Sequence, residues 1–270
     1  MRRLFLDPAA LILRLYCGAV LLFLSIPIVV AVGVAFGSDK IARFPPRGLS
    51  LQWFKAALTN SSFLDAMSNS FQLAVLATVM TVLVGLPATI ALVRRRLPGQ
   101  GALEAFLLSP LSLPGVLYGV AMLFFLGACG FGLTWWGLLL AHVVIAVPYV
   151  LRTTLAVYRG LDRGLEETAQ VLGATPWQTF WHVTLPLLRP GLFAGGLFAF
   201  LISFDNVPVS IFLTTPNNST LPVTIMSYLT SQDFDATIGA ICALQVAVVL
   251  VLLYLLDRLY GVGRLTSFGA

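Results

Sequence analysis

The sequence predicts an all-α integral membrane protein with six transmembrane helices, and two observations lead to this prediction. Of the 270 residues, 59% are hydrophobic and only 10% are charged, whereas a soluble domain carries about 25% charged residues. Six segments also hold the roughly 20 mostly apolar residues that a helix needs to cross a bilayer. The chain lacks the polar residues to cover itself in water, and lipid is therefore the solvent that suits it.

The six predicted spans follow one another within a single membrane domain, residues 1–270. They cover residues 12–36, 70–93, 102–128, 135–157, 191–213 and 237–257. The first follows Arg2 and Arg3, as in a signal peptide, but it exceeds the apolar core of about 7–15 residues found there and is predicted to be retained. Expected kinks lie at the prolines inside the spans, namely Pro27, Pro87, Pro110, Pro114, Pro148 and Pro208.

Basic residues are distributed unevenly between the two sides that six spans define. The predicted cytoplasmic set is Arg2, Arg3, Arg14, Arg94, Arg95, Arg96, Arg152, Arg159, Arg163, Arg189, Arg258 and Arg264, and the outer set is Lys40, Arg43, Arg47 and Lys55. The positive-inside rule therefore predicts that both termini are cytoplasmic. This placement explains the net charge of +5 without a nucleic-acid partner. Trp53, Trp135 and Trp136 fall near the outer edges, as interfacial aromatics do.

The predicted cytoplasmic loop, residues 158–190, is long for a connection in a membrane protein. Leu161, Leu165 and Leu172 follow helical spacing, and Gly173 is placed where glycine ends a helix. A first short helix is therefore expected before Gly173.

A second short helix is expected to begin at Thr175. Thr175 and Gln178 have the spacing of a capping box, with a proline between them in the first turn. Pro186 and Pro190 are expected to end this helix before the fifth span. From the residues alone, the pair could be an amphipathic hairpin lying on the membrane or a projection that docks into a soluble partner.

The same loop carries a longer pattern. It contains Glu167-Thr168-Ala169, three residues, Gly173, nine residues and then Val183-x-Leu185-Pro186. This run resembles the EAA signature of ABC importer permeases, with Thr168 in place of an alanine and Val183 in place of isoleucine. The resemblance extends over about residues 45–257, with a family-like core over about residues 65–257, and includes Asn69-Ser70-Phe71.

This resemblance implies a type I ABC importer permease fold in a bacterial inner membrane. The implied partners are two ATPase subunits that bind ATP and magnesium, a second permease that is a paralogue, a periplasmic solute-binding protein and membrane lipid. In the family this loop transmits the motion of the ATPase. The implied coupling residues are Glu166, Glu167, Thr168, Ala169, Gly173, Ala174 and Trp177.

A narrower resemblance concerns the solute. The stretch Phe204-Asp205-Asn206-x-Pro208, followed by Leu221-Pro222, is similar to the second permease of spermidine/putrescine importers. It implies a small nitrogenous, polyamine-like solute, and an amino acid-like compound, an opine or an aminophosphonate is the alternative. Rival classes are a stand-alone secondary transporter, for which no internal repeat is found, and a membrane scaffold without solute flux.

Ser203, Asp205 and Asn206 are the candidate residues of the solute pathway. A carboxylate within a span costs at least about 2.5–3.5 kcal/mol, so Asp205 is expected to face the bundle interior or water. It could meet the solute, or it could be a structural anion near Pro208, and the sequence leaves both roles open.

No enzymatic activity is predicted for the chain itself. It lacks the G-x4-G-K-[ST] phosphate-binding loop, so no nucleotide cofactor is expected in it. His142 and His182 are interpreted as hydrogen-bonded structural residues, and no metal site is predicted. Cys17, Cys129 and Cys242 have no disulfide or zinc spacing.

Overall fold

The computed structural model describes residues 8–40, 43–95, 98–230 and 235–260, and its regular structure in these ranges is helical. Four members of the predicted cytoplasmic set, Arg2, Arg3, Arg96 and Arg264, lie outside the described residues. In chain order the helices are α1 Pro8–Ala35, α2 Gln52–Thr59, α3 Ser61–Arg94, α4 Gln100–Leu108, α5 Gly115–Ala128, α6 Trp135–Arg159, α7 Gly164–Val171, α8 Pro176–Thr179, α9 Leu185–Phe204, α10 Ser210–Leu213, α11 Leu221–Thr230 and α12 Thr237–Tyr260.

Five helices among the described residues are long and apolar enough to cross a membrane, and a bent pair adds a sixth candidate. The pair joins α4, with the 3-10 turn that follows it, to α5 across a bend of 110°. The prediction of six spans in an all-α fold is confirmed, although the third span breaks more sharply than a kink. Pro110 lies in the 3-10 turn and Pro114 caps α5, so both prolines stand at this break.

The chain divides into two compact units. The first comprises residues 1–64 and 225–260, in which α1 and α2 pack on α12. Within this unit an isolated β-bridge pairs Gly37 with Leu49. The rings of Phe63 and Tyr228 lie 5.3 Å apart. No side chain in the most apolar stretch of α1 is buried, so this helix requires lipid or another protein chain around it.

The second unit covers residues 65–224, and α6 is its centre. Helix α9 packs along α6 through small residues, and a Cβ atom on Gly195 would lie 2.7 Å from the Cα of Val150. Only glycine permits this approach, which is how membrane helices bring their backbones together. Tyr118 of α5 donates a hydrogen bond of 2.9 Å to the carbonyl of Ala141 in α6.

The bent pair runs from one end of this unit to the other. At its start, Gln100 donates to the carbonyl of Leu92, near the end of α3. The loop that follows α5 leads to Trp135, whose indole N–H donates to Asn69 near the start of α3 at 2.8 Å. The pair therefore covers the same distance as α3 does, in the opposite direction, which supports its assignment as one span.

The prediction that Pro186 and Pro190 end the second loop helix is wrong. Residues 176–204 form one continuous run in which a π-helical turn at Phe180–Thr184 connects α8 to α9. A proline ring clashes with the carbonyl four residues earlier in a regular α-helix, and a π-turn changes this local spacing. The helix thus continues through Pro186, and the fifth span begins earlier than residue 191.

The predicted fifth span, residues 191–213, is also wrong at its other end. Helix α9 ends at Phe204, with Asp205 as its C-cap. After a break that contains Pro208, the short helix α10 begins at Ser210. Proline in a break leaves no unpaired N–H, and the side chain of Asn206 replaces part of the lost backbone pairing by accepting from the N–H of Val209 at 2.9 Å.

Candidate functional site

Polar side chains lie at two opposite ends of the second unit. One end, called here the arginine end, carries Arg94 at the end of α3, Arg159 at the end of α6, and Arg163. The other, the carboxylate end, carries Asp65 at the start of α3, with Asp205 farther in at the end of α9. All described lysines and arginines of this unit stand toward the arginine end, and they are Arg94, Arg95, Arg152, Arg159, Arg163 and Arg189.

The loop at the arginine end turns at Gly173. Helix α7 ends at Val171, and Gly173 has a φ of +94°, in the left-handed region that favours glycine. Beyond the turn, Thr175 and Gln178 form the predicted capping box, because the threonine accepts from the N–H of Gln178 and the glutamine accepts from the N–H of Thr175. The two-helix loop with a glycine turn is confirmed in this part.

Glu166 fastens the loop to the transmembrane helices. Its carboxylate lies 2.7 Å from Arg94 Nε of α3 and accepts hydrogen bonds from Tyr158 of α6 at 3.0 Å and from Thr184 of the π-turn at 2.8 Å. Arg94 also donates to the Tyr158 hydroxyl at 2.9 Å. Three elements meet at one carboxylate, so the position of α7 depends on Glu166.

The remaining predicted coupling residues lie on or near the free surface of the loop. Glu167, Thr168, Gly173 and Trp177 are exposed, and Ala169 and Ala174 are half-buried. Apolar neighbours accompany them, since Val171 and Leu172 are 85% and 82% exposed. Among the seven predicted residues Glu166 alone turns inward to this network of bonds, so it positions the loop and the others present its surface.

Sequence reasoning missed the partners of Glu166. Arg94 enters the sequence prediction only as a member of the positively charged cytoplasmic set, and Tyr158 and Thr184 carry no motif. These residues are separated from Glu166 by 72, 8 and 18 positions. No local sequence pattern predicts an ion pair between residues so far apart. An arginine at the end of one span and an acid in a later loop on the same side are a signal that could suggest such a pair.

At the carboxylate end, the predicted pathway residues separate into two groups. Ser203 is buried, and its hydroxyl lies 2.8 Å from His142 Nδ1, while Ser210 lies 3.1 Å from His142 Nε2. Asn206 is buried and accepts from the N–H of Val209, just before α10. Asp205 is exposed, so of the three it is the one that presents its side chain at the surface of the chain.

Helix α9 runs antiparallel to α3, and this sets the depth of Asp205. The rings of Phe71 and Phe200 are 5.9 Å apart, and a Cβ on Gly196 would lie 3.6 Å from Thr78. Closer to Asp205, Ser203 contacts His142, seven residues inside α6 from Trp135, and Pro208 packs on Gly115 in the first turn of α5. Asp205 therefore lies inward of the contact between Trp135 and Asn69, well inside the unit as predicted, although α9 ends there.

Comparisons with known proteins agree with this architecture. Residues 91–262 match the family described as binding-protein-dependent transport system inner membrane component. The chain is 30% identical to the spermidine/putrescine transport system permease protein PotC of Haemophilus influenzae over 86% of this chain and 90% of that protein. It is 32% identical to the putrescine transport system permease protein PotI of Escherichia coli over 76% and 75%.

A solved structure is similar in fold. It is a bacterial ABC transporter involved in the import of the acidic polysaccharide alginate, and it superposes with a TM-score of 0.72. The match covers 94% of this chain and 98% of that chain, at 14% sequence identity. At this identity the likeness concerns the fold alone, which is that of an importer permease.

Proposed function

Because the chain belongs to the family of binding-protein-dependent transport system inner membrane components, we propose that it forms half of the translocation pathway for a polyamine-like solute. As a member of this family it is a non-catalytic, multi-pass permease subunit of an ABC importer in the inner membrane. The proposal adds the solute class, namely a small organic cation with more than one amino group.

The charge distribution of the second unit supports a cationic solute. Its carboxylate end holds Asp65 and Asp205, and the described residues there include no lysine or arginine. The predicted outer basic residues, Lys40, Arg43, Arg47 and Lys55, belong to the first unit. Within the second unit this end carries one sign of charge, and such a surface raises the local concentration of ions of the opposite sign. The two relatives reported above are named for putrescine and spermidine transport, which are solutes of this charge.

The proposed assembly has two permeases, this chain and a paralogue, with two ATPase subunits and a periplasmic binding protein. ATP and magnesium are bound by the ATPases. The exposed surface of α7 and its C-cap, with Glu167, Val171 and Leu172, contacts an ATPase. Closure of the two ATPases moves both loops. Nucleotide shifts the permease pair between inward-open and outward-open states only through its different affinity for these two states.

In the proposed orientation the arginine end faces the cytoplasm, as the positive-inside rule requires. With six spans, both termini are then cytoplasmic. Single cysteines at Gly99 and Trp177 are expected to resist an impermeant thiol reagent added to intact cells whose outer membrane has been permeabilised. A cysteine at Asn217 is expected to react. The native cysteines are first replaced by serine, since Cys17 and Cys129 are exposed. Labelling of Trp177→Cys from outside would reverse the orientation and remove the coupling role.

Reconstitution tests the solute class directly. The full importer in liposomes, with ATP on the ATPase side and binding protein on the other, is expected to take up labelled putrescine or spermidine. Uptake should stop without ATP or without the binding protein. Uptake restricted to an amino acid-like or anionic amine would overturn the solute class, and ATP-independent uptake would contradict the importer mechanism.

In the same assay, Asp205→Asn is expected to slow amine uptake by up to about fivefold per assembled complex, as an exposed ion pair contributes at most about 1 kcal/mol. The change keeps the shape and removes the charge that offsets the lost hydration of the solute. Asp205→Glu, which keeps the charge, is the control. A lower yield of complex with unchanged uptake per complex would show a structural role instead.

A further inference from the structure

A second polar feature of the carboxylate end is a cavity beside the start of α3. Its volume is about 440 Å³, and its lining is formed by two segments of the second unit that lie 144 or more positions apart. The lining residues are Asp65, Ser68, Asn69 and Gln72 of α3, and Pro216 and Asn217 of the loop before α11.

The walls of this cavity are held in place by hydrogen bonds. Asn69 donates from Nδ2 to the carbonyls of Asn218 and Ser219, both at 2.8 Å, and accepts from the indole of Trp135. The hydroxyl of Ser70 accepts from the N–H of Leu221 at 2.7 Å. The loop is thereby fixed against α3, so the cavity is formed before any ligand arrives, which reduces the entropy lost on binding.

The side chains that line the cavity favour a cation. Asp65, Ser68 and Gln72 are exposed on one face of α3, at spacings of three and four residues. Gln72 donates to the Ser68 hydroxyl at 3.0 Å, which leaves its amide oxygen as an acceptor. A primary ammonium has three N–H donors, and the lining provides a carboxylate, amide oxygens and a hydroxyl but no basic side chain.

We propose that this cavity is an ammonium-binding subsite at the outer mouth, in which Asp65 pairs with one amino group of the solute as it leaves the binding protein. This inference rests on the proposed function, because it requires a cationic amine. Asp205 lies farther in, at the end of α9, so a solute with two amino groups meets Asp65 first and a second carboxylate beyond it.

The test is Asp65→Asn in the reconstituted importer, with Asp39→Asn as the matched control, because Asp39 lies in the first unit and its replacement removes the same charge. Uptake of labelled putrescine is measured against the concentration of loaded binding protein. The maximal rate should fall by about fivefold, the upper limit for one exposed ion pair, while the KM for the loaded binding protein is unchanged. Asp65→Glu should retain most of the rate.

Three outcomes would overturn the subsite. A higher KM for the loaded binding protein at an unchanged maximal rate would make Asp65 a docking contact of that protein. Equal rates for the Asp65→Asn and wild-type importers would remove Asp65 from the path. An equal loss of maximal rate in Asp39→Asn would show that the effect of Asp65→Asn comes from general surface charge. If the wild-type importer transports no amine, the proposed function fails first, and this result is distinguishable because it precedes any variant.

Discussion

Replacing Gly173 with valine is expected to abolish most uptake while the subunit stays inserted and the ATPases continue to hydrolyse ATP. Gly173 has a φ of +94°, and a Cβ added there would meet nothing within 4 Å. The effect is therefore one of backbone conformation and not of crowding. Holding a β-branched residue in this region costs about 1–3 kcal/mol, which changes a two-state equilibrium by about 5–150-fold.

The turn at Gly173 sets the angle between α7 and the helix that begins at Pro176, so strain there displaces the surface that the ATPase is proposed to contact. A graded series sharpens the test, because asparagine tolerates the left-handed region better than alanine, and alanine better than valine. The measured quantity is solute transported per ATP hydrolysed, in complexes of confirmed expression. It should fall in the order Asn, Ala, Val.

Gly99 provides a matched control for backbone strain. It has a φ of +70° and lies just before α4, and an added Cβ there would likewise meet nothing within 4 Å. Gly99→Val should cost similar conformational energy but leave the ratio of transport to hydrolysis unchanged. Normal coupling in Gly173→Val, or equal uncoupling in Gly99→Val, would contradict the role of the Gly173 turn.

The second large effect is expected for Glu166→Ala, which should sharply reduce the thermal stability and the yield of the subunit. The change removes the counter-charge of Arg94, whose side chain is only 17% exposed, together with two hydrogen bonds from Tyr158 and Thr184. Removing one partner of a buried ion pair costs about 3–5 kcal/mol, and the lower value suits this pair because it is partly exposed.

The ion pair between Glu104 and Arg159 is a matched control at the same end of the unit. Arg159 is 50% exposed in this pair, and exposed pairs contribute about 0.2–1 kcal/mol. Unfolding followed by tryptophan fluorescence in detergent should therefore separate Glu166→Ala from Glu104→Ala. Similar midpoints for the two variants would show that Glu166 does not fasten the loop. Arg94→Met combined with Glu166→Leu should recover much of the loss, because no buried charge is then left unpaired.

What the sequence by itself determined is the part of this protein that depends on local chemistry. The number of spans follows from apolar length, since lipid accepts only helices that satisfy their own backbone. The capping box at Thr175 and the left-handed turn at Gly173 follow from side chains and backbone preferences within a few residues. The loop signature led to the family that the comparisons then showed.

The tertiary structure alone decided which distant side chains meet. Glu166 pairs with Arg94 across 72 positions, and His142 meets Ser203 and Ser210 across 61 and 68. Hydropathy reports that a segment suits lipid, but it does not distinguish one helix face from another. The same limit explains the error at Pro186, because whether a proline ends a helix or is absorbed by a π-turn depends on the packing around it.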